Sequence, residues 1–89
     1  MTVLRTAHAG TLESSDISVT VFPGESGLTV HLTSSVEQQF GDAIRATICD
    51  VAAEMGVVNA VIEAVDHGAL DCTIRARVET ALERAGKEA

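Results

Sequence analysis

The apolar residues change their spacing along the chain, from every second residue to every third or fourth. Residues 17–22 and 28–33 alternate apolar with polar side chains, which is the pattern of half-buried strands. Over residues 36–55 the apolar side chains instead form a helical stripe, which ends at Gly56. Because the loop 23–27 between the two strands is rich in turn formers, we predict an antiparallel hairpin followed by a helix.

The segments on either side complete a predicted order of ββ(β)αββα. Residues 7–12 predict a short strand, and residues 57–65 predict a β-branched strand that ends in a hairpin turn at 66–68. The last apolar segment fits both periods; we predict a strand over 70–75 and then a helix to Ala85. Since this order leaves no room for long crossovers, we predict an α+β fold. We expect a small antiparallel sheet of four to five strands that packs against one long helix and a C-terminal helix.

Length and local patterns add four expectations. The chain of 89 residues is predicted to be a single domain over 1–89, because two separate cores would be too small, and residues 1–6 are expected to be flexible. Residues 34–37 predict a capping box, in which a serine oxygen accepts a backbone N–H and Glu37 reaches back. Gly41 lies inside the predicted helix, where either a close neighbour needs the space or the helix tolerates the glycine.

Composition limits the classes of partner. Thirteen acidic residues against six basic ones give a net charge of −7, which disfavours nucleic acid and favours proteins with basic surfaces. No apolar run could span a membrane and no leader is visible at the start, so we expect a cytoplasmic location. Cys49 and Cys72 are expected to be reduced, packed thiols. Half of the basic residues cluster in one segment: Arg75, Arg77 and Arg84. We interpret them either as solvated charges or as a docking edge.

The sequence shows no spacing typical of catalysis or of metal binding. Its histidines form no paired motif, and its glycines match no phosphate-binding loop. His31 is expected on the polar face of a strand and His67 in a turn. A triad of Ser14, His67 and Asp66 would make the chain a small hydrolase, but nothing in the sequence brings these residues together.

Four polar residues in a row, Glu13 to Asp16, predict a turn. An exposed turn serine can be reached by a modifying enzyme, and the flanking carboxylates could attract a basic transferase. From the residues alone, the segment is either only a turn or a modification site. Nothing in the pattern separates Ser14 from Ser15.

Three blocks of the chain resemble the acyl carrier protein, or gamma subunit, of bacterial citrate lyase. They are AGTLESSD at 9–16, SSVEQQFGDAIR at 34–45, and DHGALDC at 66–72 followed by IRAR at 74–77. The resemblance implies that Ser14 carries a phosphoribosyl-dephospho-coenzyme A through a phosphodiester. It also implies that the thiol of this group holds acetyl and citryl thioesters while citrate is cleaved to oxaloacetate and acetate.

The same resemblance implies a non-catalytic subunit, and the absence of a metal-ligand spacing in the sequence adds the expectation that it has no metal site. Its implied partners are the lyase alpha subunit, which exchanges acetyl for citryl, the beta subunit, which cleaves the citryl thioester, a prosthetic-group transferase and an acetylating ligase. Because Ser14 lies in a turn and not in an Asp-Ser-Leu motif that opens a helix, we expect a fold different from the four-helix carriers. Two alternatives stay open, the delta subunit of malonate decarboxylase and an unmodified subunit that bridges larger enzyme chains.

Overall fold

A computed structural model describes residues 1–87, so the last two residues of the predicted domain lie outside the described residues. The elements follow the order β1 (Ala7–Gly10), β2 (Ile17–Pro23), β3 (Leu28–Ser34), α1 (Glu37–Glu54), β4 (Ala60–Asp66) and α2 (Asp71–Ala85). This confirms the predicted α+β class with one long helix and a C-terminal helix. It also confirms that the fold differs from a four-helix bundle.

The strands form one sheet in the order β1-β2-β4-β3, and its pairings correct two predictions. β2 pairs with β4 and not with β3, so the predicted hairpin is wrong. β3 pairs with β4 in parallel, so the sheet is mixed and not wholly antiparallel. Alternation identifies a strand but not its neighbour. The helix α1 itself supplies the crossover that a parallel pair needs.

The loop between β2 and β3 passes over the start of β4. The backbone nitrogen of Gly27 donates to Asn59 Oδ1 at 2.8 Å, and the Ala60 nitrogen donates to the Gly27 carbonyl at 3.1 Å. Gly24 lies so close to β4 that an added Cβ would be 2.9 Å from the Ala60 nitrogen. The loop therefore crosses the width of one intervening strand, a separation of about 10 Å that its length can span.

The segment after β4 is helical from Asp71 onward, so the predicted strand over 70–75 and the hairpin turn before it are wrong. Leu70 is extended, with ψ 157°, and its carbonyl accepts a hydrogen bond from the Ile74 nitrogen at 3.0 Å. The alternation misleads because Leu70 and Cys72 are exposed. The buried side chains of α2 instead recur at helical spacing: Ile74, Val78, Ala81, Leu82 and Ala85.

Both helices pack against one face of the sheet, α1 over β3 and α2 over β1 and β2. The inward-facing apolar side chains of β2 and β4 are almost completely buried: Ile17, Val19, Val21, Ala60, Ile62 and Ala64. The other face of the sheet carries the alternate residues and is open, with His31 and Glu63 exposed in neighbouring strands. Within residues 1–87, neither helix is long and apolar enough to cross a membrane.

The first residues of the chain contact the helices. Val3 is buried, and the Leu4 nitrogen donates to the Ala85 carbonyl at 2.9 Å. The terminal ammonium of Met1 donates to the Gly56 carbonyl at 3.0 Å. The predicted flexibility of residues 1–6 concerns motion and stays a prediction.

The two cysteines lie on the helices, Cys49 on α1 and Cys72 on the first turn of α2. Both thiols are free, in agreement with the predicted reduced state. Both are also exposed, so the prediction that they are packed is wrong. Their side chains lie on the outer faces of helices whose inner faces are filled by aliphatic residues.

Candidate functional site

Several segments meet at one end of the sheet, which we call the serine end. β1, β3 and β4 end here, β2 begins here, and residues 11–16 connect β1 to β2. The register places both Ile17 of β2 and Ser34 of β3 beside Asp66 of β4. The serine end therefore unites the turn that carries Ser14, the connection from β4 to α2, and the start of α1.

Ser14 lies at the corner of a tight turn, as the sequence predicts. The Asp16 nitrogen donates to the Glu13 carbonyl at 3.2 Å and closes the turn. Ser15 has φ 64°, in the left-handed region that non-glycine residues rarely adopt and that the third residue of a type II turn requires. Both serines are exposed, and the hydrogen bonds found among residues 1–87 leave the Ser14 hydroxyl free. This hydroxyl is therefore accessible to a partner.

Asp16 fastens the turn to its surroundings. Its Oδ2 accepts hydrogen bonds from the backbone nitrogen of Thr11 at 3.1 Å and from the Thr11 hydroxyl at 2.7 Å. Its Oδ1 accepts one from the Ile17 nitrogen at 2.7 Å. Arg77 of α2 binds the same carboxylate at two points, Nε to Oδ1 at 3.1 Å and Nη2 to Oδ2 at 3.2 Å. These contacts satisfy a carboxylate that would otherwise be costly to bury, and they attach the loop to α2.

The same contacts hold the pKa of Asp16 well below its usual range. The hydrogen bonds from the Arg77 guanidinium contribute most, followed by those from the Thr11 hydroxyl and the Ile17 N–H. Burial of the carboxyl group acts in the opposite direction and is outweighed. Asp16 is therefore ionised at neutral pH and can pair with Arg77.

Gly10 allows the loop to begin where it does. Its φ of 92° lies in the region that favours glycine, and an added Cβ would overlap the Ile17 carbonyl oxygen. The Arg77 Cδ lies 3.4 Å from the same Cβ position. β1 can therefore turn closely against β2 beneath the Ser14 turn only with glycine at this position.

The turn is also joined to the connection between β4 and α2. The Ser15 nitrogen donates to the His67 carbonyl at 2.8 Å, and the His67 nitrogen donates to the Asp16 carbonyl at 2.9 Å. These two bonds join residues 15 and 16 to His67, just beyond the last pair of β2 and β4, Ile17 with Asp66. The backbone next to Ser14 is therefore fixed while the Ser14 side chain stays exposed.

Asp66 is a second buried carboxylate at the serine end. Its Oδ2 accepts hydrogen bonds from the Ser34 hydroxyl at 2.8 Å and the Gly68 nitrogen at 3.1 Å, and its Oδ1 accepts one from the Ala69 nitrogen at 3.0 Å. It therefore links the end of β3 to the turn that leads into α2. This role of Asp66 was not predicted from the sequence. A signal was available, because the side chain of an aspartate at the start of a turn often accepts a hydrogen bond from the backbone N–H two residues later.

The predicted capping box is wrong. The first cap residue of α1 is Val36, without a side-chain cap. The Ser34 hydroxyl accepts a hydrogen bond from the Val36 nitrogen at 3.1 Å and donates to Asp66, so the serine serves the turn and not the helix. Glu37 does not reach back but pairs with Arg45 at 3.4 Å. The nearest atoms to an added Cβ at Gly41 belong to these two side chains, so the glycine makes room for their ion pair.

The hydrolase triad is not assembled among the described residues. Asp66 directs its carboxylate to Ser34, Gly68 and Ala69, and none of its hydrogen bonds involves the His67 ring. His67 contacts the Ser14 turn through its backbone. No group of three or more His, Cys, Asp or Glu within residues 1–87 is placed to hold a metal ion.

The clustered arginines attach α2 to its neighbours. Arg75 pairs with Glu54 of α1 at 2.5 Å, Arg77 binds Asp16, and Arg84 Nη1 donates to the His8 carbonyl at 2.8 Å. Arg77 is therefore more than a solvated charge, because it supports the Ser14 turn; the interpretation of the three arginines as a docking edge stays a prediction. The sequence offers no signal for the pair of Asp16 and Arg77, because the two residues are 61 positions apart.

Comparisons with known proteins identify the family to which the chain belongs. The family model "ACP: Malonate decarboxylase delta subunit (MdcD)" matches residues 4–85 and places the chain among acyl carrier proteins. The citrate lyase acyl carrier protein of Halothermothrix orenii is 52% identical over 100% of this chain and 95% of the relative. That of Streptococcus mutans is 56% identical over 98% and 86%. The chain therefore belongs to the citrate lyase acyl carrier protein family.

The fold also occurs in a solved structure. One chain of a Pseudomonas malonate decarboxylase hetero-tetramer, crystallised with malonate, matches with a TM-score of 0.79. The match covers 94% of this chain and 87% of that chain at 24% sequence identity. At this identity the similarity shows the fold alone, and it extends over nearly all of both chains.

Proposed function

We propose that this chain is the acyl carrier subunit of a citrate lyase, and that Ser14 is the attachment site of a phosphoribosyl-dephospho-coenzyme A group. The family membership supports the carrier role, since the relatives match over nearly their full length. The observation that supports this turn as the site is its pair of exposed serine hydroxyls on a backbone that is fixed on both sides, and the resemblance of the block at 9–16 selects Ser14 over the equally exposed Ser15.

The residues at the serine end fit a group attached through a phosphodiester. Ser14 Oγ is the atom that would hold it, and its exposure leaves room for a bulky substituent. Once attached, the group supplies a thiol whose thioester activates the carbonyl of an acyl group. The chain's own residues fix where the group starts. Asp16 and Arg77 hold the loop on α2, and the Ser15 N–H holds it on His67, the residue that follows β4.

A carrier of this kind acts on its substrate through other proteins. We propose as partners the alpha and beta subunits of the lyase, a prosthetic-group transferase and an acetylating ligase, all in the cytoplasm. The catalytic residues lie on these partners, and the chain is a non-catalytic subunit. Its net charge of −7 suits partners with basic surfaces. Covalent attachment raises the local concentration of the acyl group at successive active sites.

Mass spectrometry of the intact chain and its peptides tests the site. The chain is expressed with the lyase subunits and the transferase, as wild type, Ser14→Ala and Ser15→Gly. The Ser15→Gly variant is a matched control, because glycine adopts the φ of 64° at this position without strain. We expect the added mass on the wild type and on Ser15→Gly, and neither adduct nor lyase activity for Ser14→Ala despite normal assembly.

Other outcomes favour the alternatives. An unmodified chain in an active complex would support a purely bridging subunit. Ester hydrolysis by the isolated chain, lost in Ser14→Ala, would support the hydrolase. A malonate decarboxylase carrier is the second candidate, because the family model has that description and the fold is shared with that complex. The modified chain distinguishes the two carriers when it is supplied to lyase or decarboxylase subunits and turnover of citrate or malonate is measured.

A further inference from the structure

An apolar groove lies between α1 and the start of α2, beside the serine end. Its volume is about 380 Å³, and aliphatic and aromatic side chains form most of its lining: Val36, Phe40, Ala43, Ile44, Leu70 and Ile74. Phe40 and Leu70 leave 53% and 70% of their surfaces exposed, although both are large and apolar. Exposed apolar groups gathered around a concave surface are typical of a binding site for another molecule.

The groove adjoins the turn that carries Ser14. Gly68 and Ala69 line it, and they directly follow His67, whose carbonyl binds the Ser15 nitrogen. Leu12, two residues before Ser14, leaves 63% of its surface exposed in the same loop. A molecule seated in the groove therefore lies next to the Ser14 turn.

Charge separates the possible occupants. The lining contains the carboxylate of Asp71, which accepts a hydrogen bond from the Thr47 hydroxyl at 2.7 Å, and it contains no Lys or Arg among the described residues. The phosphates of an attached group are repelled by this carboxylate, and a second copy of the chain brings a further charge of −7. A protein surface with basic groups around an apolar side chain complements both the lining and the charge.

We propose that this groove docks a catalytic partner subunit, which inserts an apolar side chain between Phe40 and Leu70 and places Lys or Arg near Asp71. The inference rests on the proposed carrier role. It adds that the docking surface lies on the same side of the molecule as Ser14, so docking brings the Ser14 turn towards the partner. Docking and attachment are separate properties of the chain and can be tested separately.

Leu70→Ser and Val58→Ser are a matched pair for the test. Val58 has nearly the same exposure, 72% against 70%, but lies at the opposite end of the sheet before β4. Serine at residue 70 leaves α2 intact, because serine is a preferred residue at this cap position. Affinity is measured for the unmodified chain against the carrier-free alpha and beta subunits of the lyase, so the result does not depend on modification of Ser14.

We expect about tenfold weaker binding for Leu70→Ser and less than about twofold for Val58→Ser, since one apolar anchor often dominates an interface. Neutralising Asp71 with asparagine weakens binding by a smaller factor that shrinks at high salt, whereas Glu63→Gln on the open sheet face has no effect. Equal affinities of the two serine variants, or no binding of the wild type to either subunit, would overturn the proposal.

Two further results would assign the groove to another occupant and also overturn the proposal. One is a wild-type dimer in sedimentation that Leu70→Ser dissociates. The other is a change of the Phe40 ring signals in NMR on modification of Ser14, together with unaltered subunit binding by Leu70→Ser. The adduct mass on Ser14, measured on the same variants, reports on the proposed function alone. If the chain is modified and active but Leu70→Ser does not weaken docking, only the inference about the groove fails. If the chain docks through the groove but is not modified, only the proposed function fails.

Discussion

The two ends of the sheet hold their loops in place with different chemistry. The buried polar or charged residues among residues 1–87 are Asp16 and Asp66, and both lie at the serine end. At the opposite end, the loop after β2 is held by the exposed amide of Asn59 and by backbone groups of Gly27 and Ala60. A buried carboxylate needs several donors at fixed positions, whereas an exposed amide can exchange its partner for water. The end that carries the exposed Ser14 is therefore the end whose loops depend on more hydrogen-bond donors at fixed positions.

The largest difference between the two ends is expected for glycine substitutions. Gly10 and Gly27 share a φ of 92°, but an added Cβ at Gly10 overlaps the Ile17 carbonyl oxygen, whereas at Gly27 nothing lies within 4 Å. We expect Gly10→Ala to lower the free energy of unfolding by at least about 3 kcal/mol, from strain plus overlap. Gly27→Ala should cost only about 1 kcal/mol, from strain alone. Urea unfolding followed by circular dichroism measures both.

Equal losses for the two glycine variants would contradict this account of the serine end. They would mean that backbone strain dominates at both positions and that the loop can move away from β2. If Gly10→Ala does not fold, its loss in free energy of unfolding is at least the whole stability of the wild type. That limit is compared with the loss measured for Gly27→Ala under the same conditions. Both variants are then measured in the presence of the same stabilising osmolyte, where Gly10→Ala is still expected to be the less stable of the two.

The second largest difference is expected when the hydrogen-bond acceptor at each end of the sheet is removed, Asp66 at the serine end and Asn59 at the opposite end. Asp66→Ala leaves the Ser34 hydroxyl and the Gly68 and Ala69 N–H groups without their acceptor, so we expect a loss of about 2–3 kcal/mol in the free energy of unfolding. Asn59→Ala removes one exposed acceptor and should cost about 1 kcal/mol or less. Hydrogen exchange of the Gly68 and Ala69 amides locates the effect. Unchanged protection of these amides in Asp66→Ala would contradict the proposed role of the carboxylate.

Much of the secondary structure could be predicted from the sequence, because burial on one face leaves a clear period. β2 and α1 follow this rule closely, with alternating burial in β2 and buried residues at helical spacing in α1. The strand order could not be predicted in this way, since alternation in β3 is the same whether it pairs with β2 or with β4. The start of α2 was ambiguous for a further reason, because a segment of six residues is too short to separate the two periods.

The candidate site also has one part that depends on neighbouring residues in the sequence and another part that depends on residues far apart in it. The turn at Ser14 is a local property of four consecutive polar residues, and both its position and its exposure could be predicted. The carboxylate supports depend on residues far apart in the chain, Asp16 with Arg77 and Asp66 with Ser34. Side-chain pairs of this kind leave no periodic trace, so they became visible only once the fold had brought the elements together.

The final difference between the two ends lies in their response to acid. Because hydrogen bonds from Arg77 and other donors lower the pKa of folded Asp16, this carboxylate stabilises the fold fully above the ordinary carboxyl pKa of about 3.9. Its contribution declines as the pH falls from there towards the lower folded value. We therefore expect Asp16→Asn and Arg77→Gln to flatten the acid side of the stability profile, measured by urea unfolding between about pH 2 and pH 6.

Asn59→Ala is the control at the opposite end of the sheet. It removes no titrating group, so it should lower the free energy of unfolding equally at every pH. An acid slope in Asp16→Asn as steep as that of the wild type would mean that other carboxylates, and not the support of the Ser14 turn, set the acid sensitivity.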